Sequence, residues 1–331
     1  MARIVQVGLG PLGVRAAREF LERGMGRIVG AVDPVHAGKP LAELVEGADP
    51  GLTIAPDLAS LACWGDTDAA IVTTRSALPD CFETLRDLLG LGVHVVSSCE
   101  ELSYPWLQHP IMSQELHERA VKARRVVLGT GINPGFLLDT FPVALTGVCH
   151  TVRRVVAGRV QDATTRRIPF QKKIGATLSM EAFQAEVEKG TLRHVGLPES
   201  LHFICHYLSI PFDDWSETLE PVIAERDLEC GLGPIPAGHA AGVRQVAIAT
   251  RGGEEVVRLE FQAAIGQAEP RDWVELDSDP PIRAVIEGGV HGDAATTSIL
   301  LNAIGSVREA EPGLRTMADV RPPRCQVRRD A

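Results

Sequence analysis

Two neighbouring carboxylates, Glu100 and Glu101, follow the apolar run Val93-His94-Val95-Val96-Ser97-Ser98. A carboxylate in such a place can hold an ammonium or iminium by a charge-assisted hydrogen bond. In a reductive direction it can take a proton from ammonia as it attacks a ketone. Partial burial would raise its pKa toward that task. The competing structural reading is that both acids open the next helix, where the helix dipole favours negative charge. A second unusual loop, Gly129-Thr130-Gly131-Ile132-Asn133-Pro134-Gly135-Phe136, follows the next apolar run. Neither loop carries Arg or Lys, so neither offers the cation an oxo-acid carboxylate would need. That composition suits a substrate that is neutral or cationic at its reacting end, such as an amine.

A third constellation lies at the start of the chain, where Gly8, Gly10 and Gly13 form a G-x-G-x-x-G loop with Pro11 and Leu12 between them. Gly8 allows the tight turn, Gly10 lets a pyrophosphate approach the backbone, and Gly13 lets the helix pack on the strand. The helix opening after the loop turns its first N–H groups toward the phosphates. Asp33 ends the second apolar run, where an acid can accept the ribose hydroxyls of NAD. His36 and Lys39 follow closely, either as partners of a 2′-phosphate or as solvated loop residues. Strand ends at Thr73, Thr74, Ser98 and Cys99 complete the set expected around an NAD(P)H cofactor.

The elements that must position these groups alternate. Ile4 to Val7, Ile28 to Val32, Ala69 to Thr74, Val93 to Ser98 and Arg125 to Leu128 read as strands buried on both faces. Helical spacing separates them, at Pro79 to Leu89 and Ser113 to Ala123, with short helical turns expected at Leu41 to Val45 and Asp57 to Leu61. Strand-helix alternation with right-handed crossovers makes an α/β, doubly wound parallel sheet, a Rossmann domain. From about Thr151 the pattern changes. Val152 to Ala163 alternates like a strand, and Ser179 to Lys189 and Ser200 to Leu208 read as helices. Val243 to Thr250 with Glu255 to Ala264, and Arg271 to Leu276 with Ile282 to Glu287, read as strand pairs. This is a second α+β domain on a mostly antiparallel sheet. Gly288-Gly289-Val290-His291-Gly292-Asp293 then opens a helix, Ala294 to Val307, with Asp293 as expected N-cap.

Composition narrows the function. The 331 residues fit two domains, and a net charge of −10 argues against nucleic acid or an anionic membrane as partner. No run of 18 apolar residues occurs, and the first residues enter a strand directly, so a cytoplasmic protein is expected. The seven cysteines form no C-x-x-C, which fits reduced thiols. His202, Cys205 and His206 share a helix face but lack further ligands, so no metal is expected. Trp106, Phe136 and His291 are further candidates for a substrate pocket, and Phe170 for pocket or core. Arg159, Arg166, Arg167, Lys172, Lys173 and His194 are the second-domain basics available to a substrate carboxylate.

Several stretches together carry a family resemblance over nearly the whole chain. They are Val95-Val96-Ser97-Ser98-Cys99-Glu100-Glu101-Leu102, Gly129 to Phe136, Gln171-Lys172-Lys173-Ile174-Gly175, His194 to Ser200, Gly242-Val243-Arg244-Gln245 and Gly288 to Thr296. With these the chain resembles the 2,4-diaminopentanoate dehydrogenases and native amine dehydrogenases, within the wider dihydrodipicolinate-reductase-like group. The resemblance implies NAD(P)H-dependent reductive amination of a small ketone with ammonia, and the reverse oxidative deamination. It implies one catalytic glutamate, carried to Glu100 with Glu101 as alternative, and pocket positions at Thr130 and Phe136, with Asn133 in the same loop. It implies a homodimer, and a last helix and tail that return to the Rossmann domain. The domains are then 1–135 plus 298–331, and 136–297. The basic substrate motif of true dihydrodipicolinate reductases has no counterpart here, so a cyclic dicarboxylate is not expected. The remaining alternatives are a diamino-acid substrate, an ammonia-independent carbonyl reductase and a non-catalytic NAD(P)-binding sensor.

Overall fold

The computed structural model describes residues 1–325; the expected tail positions 326–331 lie outside the described residues. The chain divides into two compact units, Met1–Phe136 together with the chain from His291, and Leu137–Val290.

The first unit begins β1 (Ala2–Val7), α1 (Pro11–Glu22), β2 (Gly26–Val32), β3 (Ala69–Val72), α2 (Leu78–Gly90), β4 (His94–Ser97), α3 (Pro110–Ala123) and β5 (Val126–Gly129). Proline near the start of all three helices presets the backbone angle where no intrahelical N–H is needed. Strand residues alternate between two cores. Val5, Val72, Val95 and Val127 face α2 and α3. Ile4, Ile71, Val96 and Leu128 face the opposite layer, which includes Phe20 of α1. Two apolar faces per strand are why these runs read as continuous rather than alternating. Leu41–Glu43 forms a single 3-10 turn. The helical turn expected at Asp57 to Leu61 is instead a side-chain turn, in which the Asp57 carboxylate accepts from the Ser60 N–H and hydroxyl. Such local bonding by Asp competes with helix.

The second unit comprises α4 (Thr140–Leu145), β6 (Thr151–Asp162), α5 (Ile168–Lys173), α6 (Met180–Glu188), α7 (Leu197–Tyr207), β7 (Asp214–Ile223), the small hairpin β8 (Leu228–Cys230) and β9 (Gly233–Ile235), β10 (Ala240–Arg251), β11 (Glu254–Ala264), β12 (Arg271–Asp279) and β13 (Ile282–Glu287). Its main sheet runs β13-β12-β6-β11-β10-β7. All neighbours are antiparallel except β6 and β11, which are parallel. One face packs against α6 and α7 through Phe183, Leu201, Ile204, Leu259 and Val274. Strand β7 is an edge strand that carries Glu217, Glu220 and Pro221, tolerable where one side needs no partner.

The chain then returns to the first unit as α8 (Gly292–Glu309) and β14 (Gly313–Arg315). Strand β14 pairs in parallel with β5, giving the all-parallel order β14-β5-β4-β3-β1-β2. Helix α8 buries Leu300, Leu301, Ala303, Ile304 and Val307 against the layer that holds Phe20. The expected cap Asp293 lies in its first turn. His291 is the N-cap instead, its ring nitrogen accepting from the Ala294 N–H at 3.4 Å.

Candidate active site

The glycine loop follows β1. Gly8 has φ +87°, and a Cβ there would stand 2.8 Å from the Thr73 carbonyl oxygen. A Cβ on Gly13 would stand 2.0 Å from the Gly8 oxygen and 2.6 Å from the Thr73 hydroxyl. No atom of the described residues lies within 4 Å of a Cβ placed on Gly10. Internal packing therefore accounts for two of the glycines. The space over Gly10, at the uncapped N-terminus of α1, suits an approaching pyrophosphate. Gln6 is fully buried in β1 and donates to the Gly8 oxygen and the Thr73 hydroxyl, both at 2.9 Å. Gln6 carries no signal of a motif in the sequence beyond being an amide set between Val5 and Val7. Thr74 is exposed beside this loop.

Asp33 is buried and receives three backbone N–H groups. Leu9 donates to one oxygen at 2.7 Å, and Val35 and His36 donate to the other at 2.9 and 3.1 Å. The carboxylate thus latches the glycine loop to the loop after β2. A carboxylate offers about four acceptor positions, so roughly one remains for a ribose hydroxyl. Lys39 is exposed on the same loop, and the buried Nδ1 of His36 has no partner among the described residues. These groups fit a nicotinamide dinucleotide.

At the end of β4 the two acids diverge. Glu101 is buried, and its Oε2 accepts from the Leu78 N–H at 2.8 Å and meets His109 Nε2 at 2.8 Å. Glu100 is half-buried, and its carbonyl accepts from the Ser103 N–H and hydroxyl. Ser98 is half-buried, and its N–H donates to the Val72 oxygen. Cys99 turns its thiol inward onto the Ser76 carbonyl at 3.1 Å. The Cys99 thiol beside Cys81 pulls the Cys81 pKa down to about 7, while that contact and burial push Cys99 up. Trp106 lies against Tyr104, ring centroids 5.4 Å apart, and packs on the α2–α3 core.

The loop after β5 folds tightly on itself. A Cβ on Gly135, at φ +119°, would stand 2.4 Å from the Gly131 nitrogen. Thr130 and Asn133 are buried, and the Thr130 hydroxyl and both amide atoms of Asn133 find no protein partner among the described residues. Buried polar groups are seldom left so, which marks a loop shaped around a polar ligand or ordered water. The Ile132 N–H donates to the Thr296 hydroxyl of α8 at 3.4 Å, and Phe136 packs on the core of α8. His291 is exposed.

The second unit holds its own buried polar group. Arg159 on β6 and Asp272 on β12 are 1% and 2% exposed, with the Arg159 guanidinium 3.2 Å from Asp272. Arg159 also donates to the Val290 oxygen at 2.6 Å, and Asp272 accepts from the Val290 N–H at 2.7 Å. Burial lowers the Arg159 pKa to about 10 and raises that of Asp272, Arg159 opposing the latter. Arg166 donates to Gln161 at 2.8 Å and covers the Phe170 ring at 4.0 Å. The Gln245 side-chain amide accepts from the His194 N–H at 2.9 Å and donates to the His194 carbonyl at 3.0 Å, and the His194 ring lies 4.2 Å from Phe261. Arg167 and Lys172 are exposed and Lys173 is half-buried. His202 bonds the Pro198 carbonyl and packs edge-on against Phe212 and Trp215. Among the described residues no three His, Cys, Asp or Glu side chains are grouped to hold a metal. No helix among them is long and apolar enough to cross a membrane.

Residues 136–330 match the model of the 2,4-diaminopentanoate dehydrogenase C-terminal domain, more than half of the chain. The chain belongs to the 2,4-diaminopentanoate dehydrogenase family. It is an oxidoreductase acting on CH–NH2 groups. It is 26% identical to the 2,4-diaminopentanoate dehydrogenase of Acetoanaerobium sticklandii, over 97% of this chain and 94% of that one. Its fold superposes on an amine dehydrogenase from Mycobacterium smegmatis with a TM-score of 0.85 at 22% identity, over 98% of this chain and 97% of that one. A probable dehydrogenase from Thermotoga maritima shares the fold at a TM-score of 0.58 and 12% identity, over 96% of this chain and 92% of that one. The α/β and α+β architecture read from the sequence is the architecture of these relatives.

Proposed function

We propose that the protein is an NAD(P)H-dependent amine dehydrogenase, joining ammonia to a small ketone reductively and running the reverse deamination. The observation that carries this reading is the division of labour between two adjacent acids in a pair of strand-end loops without a cation. Glu101 is committed to Leu78 and His109, and the reading gives the half-buried Glu100 the acid–base role that the family resemblance implies. Glu100 takes a proton from ammonium, and the freed nitrogen attacks the ketone carbon. Glu100 returns the proton to the carbinolamine hydroxyl, which leaves as water and yields an iminium. The carboxylate then stabilises that cation. The bound dihydronicotinamide supplies the hydride. Overall, ketone, ammonium, NAD(P)H and a proton give alkylammonium, NAD(P)⁺ and water.

Both cofactors fit this reading. Three N–H groups offset the Asp33 charge, which weakens its repulsion of a 2′-phosphate, and Lys39 is at hand to meet one. The reading takes the protein as a cytoplasmic homodimer joined through the sheet face of the second unit that carries Val156, Ile248 and Trp273, the face opposite its helices. A diamino-acid substrate is the second reading. It is favoured by the half-buried Arg166, whose guanidinium lies 4.0 Å over the Phe170 ring and has the charge a substrate carboxylate needs.

The test follows cofactor oxidation at 340 nm with small ketones and with 2-amino-4-oxopentanoate, using NADH or NADPH, with and without ammonium. Strictly ammonium-dependent oxidation is expected. Oxidation without ammonium would move the reading to a carbonyl reductase. Cofactor binding with no turnover on any of these substrates would leave a sensor. A strong preference for the amino acid would select the second reading.

A further inference from the structure

Glu100 sits at the head of a single 3-10 turn, Glu101–Ser103, which is too short to hold itself in place. Its neighbours on both sides are fastened to the loop between β3 and α2. The Cys99 thiol and the Glu101 N–H both donate to the Ser76 carbonyl at 3.1 Å. The Glu101 carboxylate reaches back to the Leu78 N–H, the first of α2, where the helix dipole favours negative charge. The same oxygen meets the ring of His109, the N-cap residue of α3. One buried carboxylate thus ties together the end of β4, the start of α2 and the start of α3.

We propose that Glu101 and His109 are positioning residues that aim the Glu100 carboxylate at the reacting nitrogen, an inference that rests on Glu100 being the catalytic acid–base group. Released from Leu78 and His109, the turn keeps its tie to the Ser76 carbonyl but loses its anchors to α2 and α3, and a shift there carries Glu100 out of line. A misplacement of about 1 Å costs on the order of 10²-fold in rate. The glycine loop and Asp33, which would meet the pyrophosphate and adenosine ribose, belong to other segments, so the clamp should bear on kcat more than on cofactor affinity.

The experiment compares Glu101→Ala, Glu101→Gln, His109→Ala and Glu100→Gln in the full chain. It measures kcat, KM, the kcat–pH profile and NAD(P)H affinity by fluorescence. Glu101→Ala is expected to lower kcat by about 10²-fold, with cofactor affinity within about twofold of the parent. Its pH profile should keep the parent's limb at a lower plateau, because the titrating group is still Glu100. Glu101→Gln keeps an acceptor for Leu78 and should restore kcat to within about tenfold. Should Glu101→Ala not fold, His109→Ala carries the test, expected to lower kcat by about 5–10-fold without moving the limb. Parent-like kcat in Glu101→Ala or His109→Ala overturns the proposal. Loss of the pH limb in Glu101→Gln, with turnover retained in Glu100→Gln, would make Glu101 the catalytic group and overturn both assignments. Turnover retained in Glu100→Gln with the limb intact in every Glu101 variant would defeat the Glu100 reading alone.

Discussion

Replacing Asp272 with Asn removes one charge from a place where the other cannot follow. Arg159 is 1% exposed and retains its charge at neutral pH, since burial brings it down only to about 10. The amide can still accept from the Val290 N–H, so the backbone tie of Asp272 survives. What disappears is the counter-charge 3.2 Å from the guanidinium. Breaking a buried pair in this way costs about 3–5 kcal/mol. In a unit of roughly 150 residues each kcal/mol lowers the melting temperature by about 2–4 °C, so a drop of roughly 6–20 °C is expected. Circular dichroism or calorimetry on Asp272→Asn measures it. Combining Asp272→Leu with Arg159→Met removes both charges and should recover part of the loss, limited by the Val290 N–H and oxygen left without partners, about 1–3 kcal/mol each. A single variant melting within about 2 °C of the parent, or a double variant no better than the single one, would refute the reasoning.

The glycine loop predicts a split between two variants. Gly13→Ala forces a carbon against the Gly8 oxygen and should destabilise the first unit by about 1–3 kcal/mol, read by denaturant titration. Gly10→Ala meets no atom of the described residues and should leave stability alone, yet weaken NAD(P)H by more than about tenfold because its methyl would occupy pyrophosphate space. His94 accepts from the Val126 N–H as a neutral ring, and burial lowers its pKa to about 4. The unfolded chain therefore binds a proton that the folded one refuses between about pH 6.5 and 4. Stability is full above that window and falls as pH drops through it. Allowing for partial solvent exposure, the parent should lose about 1–2 kcal/mol more than His94→Gln between pH 7.5 and 4.5. Lys39→Ala should raise KM for NADPH severalfold while leaving that for NADH unchanged, as steady-state kinetics with each cofactor would show.

What was legible in the sequence is what local chemistry dictates. The glycine spacing, the strands apolar on both faces and the absence of cations from the two loops each depend on neighbours in the chain. Less legible were roles fixed by distant partners. Asp33 reads as a ribose ligand, yet the Leu9 N–H it receives comes from the preceding strand end. Glu100 and Glu101 look equivalent until Leu78 and His109 are brought to one of them. Strand β7 escaped notice because Glu217, Glu220 and Pro221 break the apolar pattern, and an edge position makes that break harmless. The capping of α8 by His291 rather than Asp293 turned on where the first turn begins, which composition does not specify.

The parallel sheet of the first unit is written in two instalments. Strand β5 gains its outer neighbour only when β14 is made, and the α1 side of the sheet gains its second helix only when α8 arrives, with Thr297 bonding Glu19 at 2.6 Å. Between the instalments a ribosome must produce the roughly 150 residues of the second unit, some 8–30 s at ~5–20 residues per second. Throughout that interval the nascent chain carries an open parallel-sheet edge and an uncovered apolar layer. The inserted unit, contiguous in sequence, has everything it needs to fold in the meantime. The second unit can therefore complete its fold first, while the first unit waits for the chain after His291 to close its sheet.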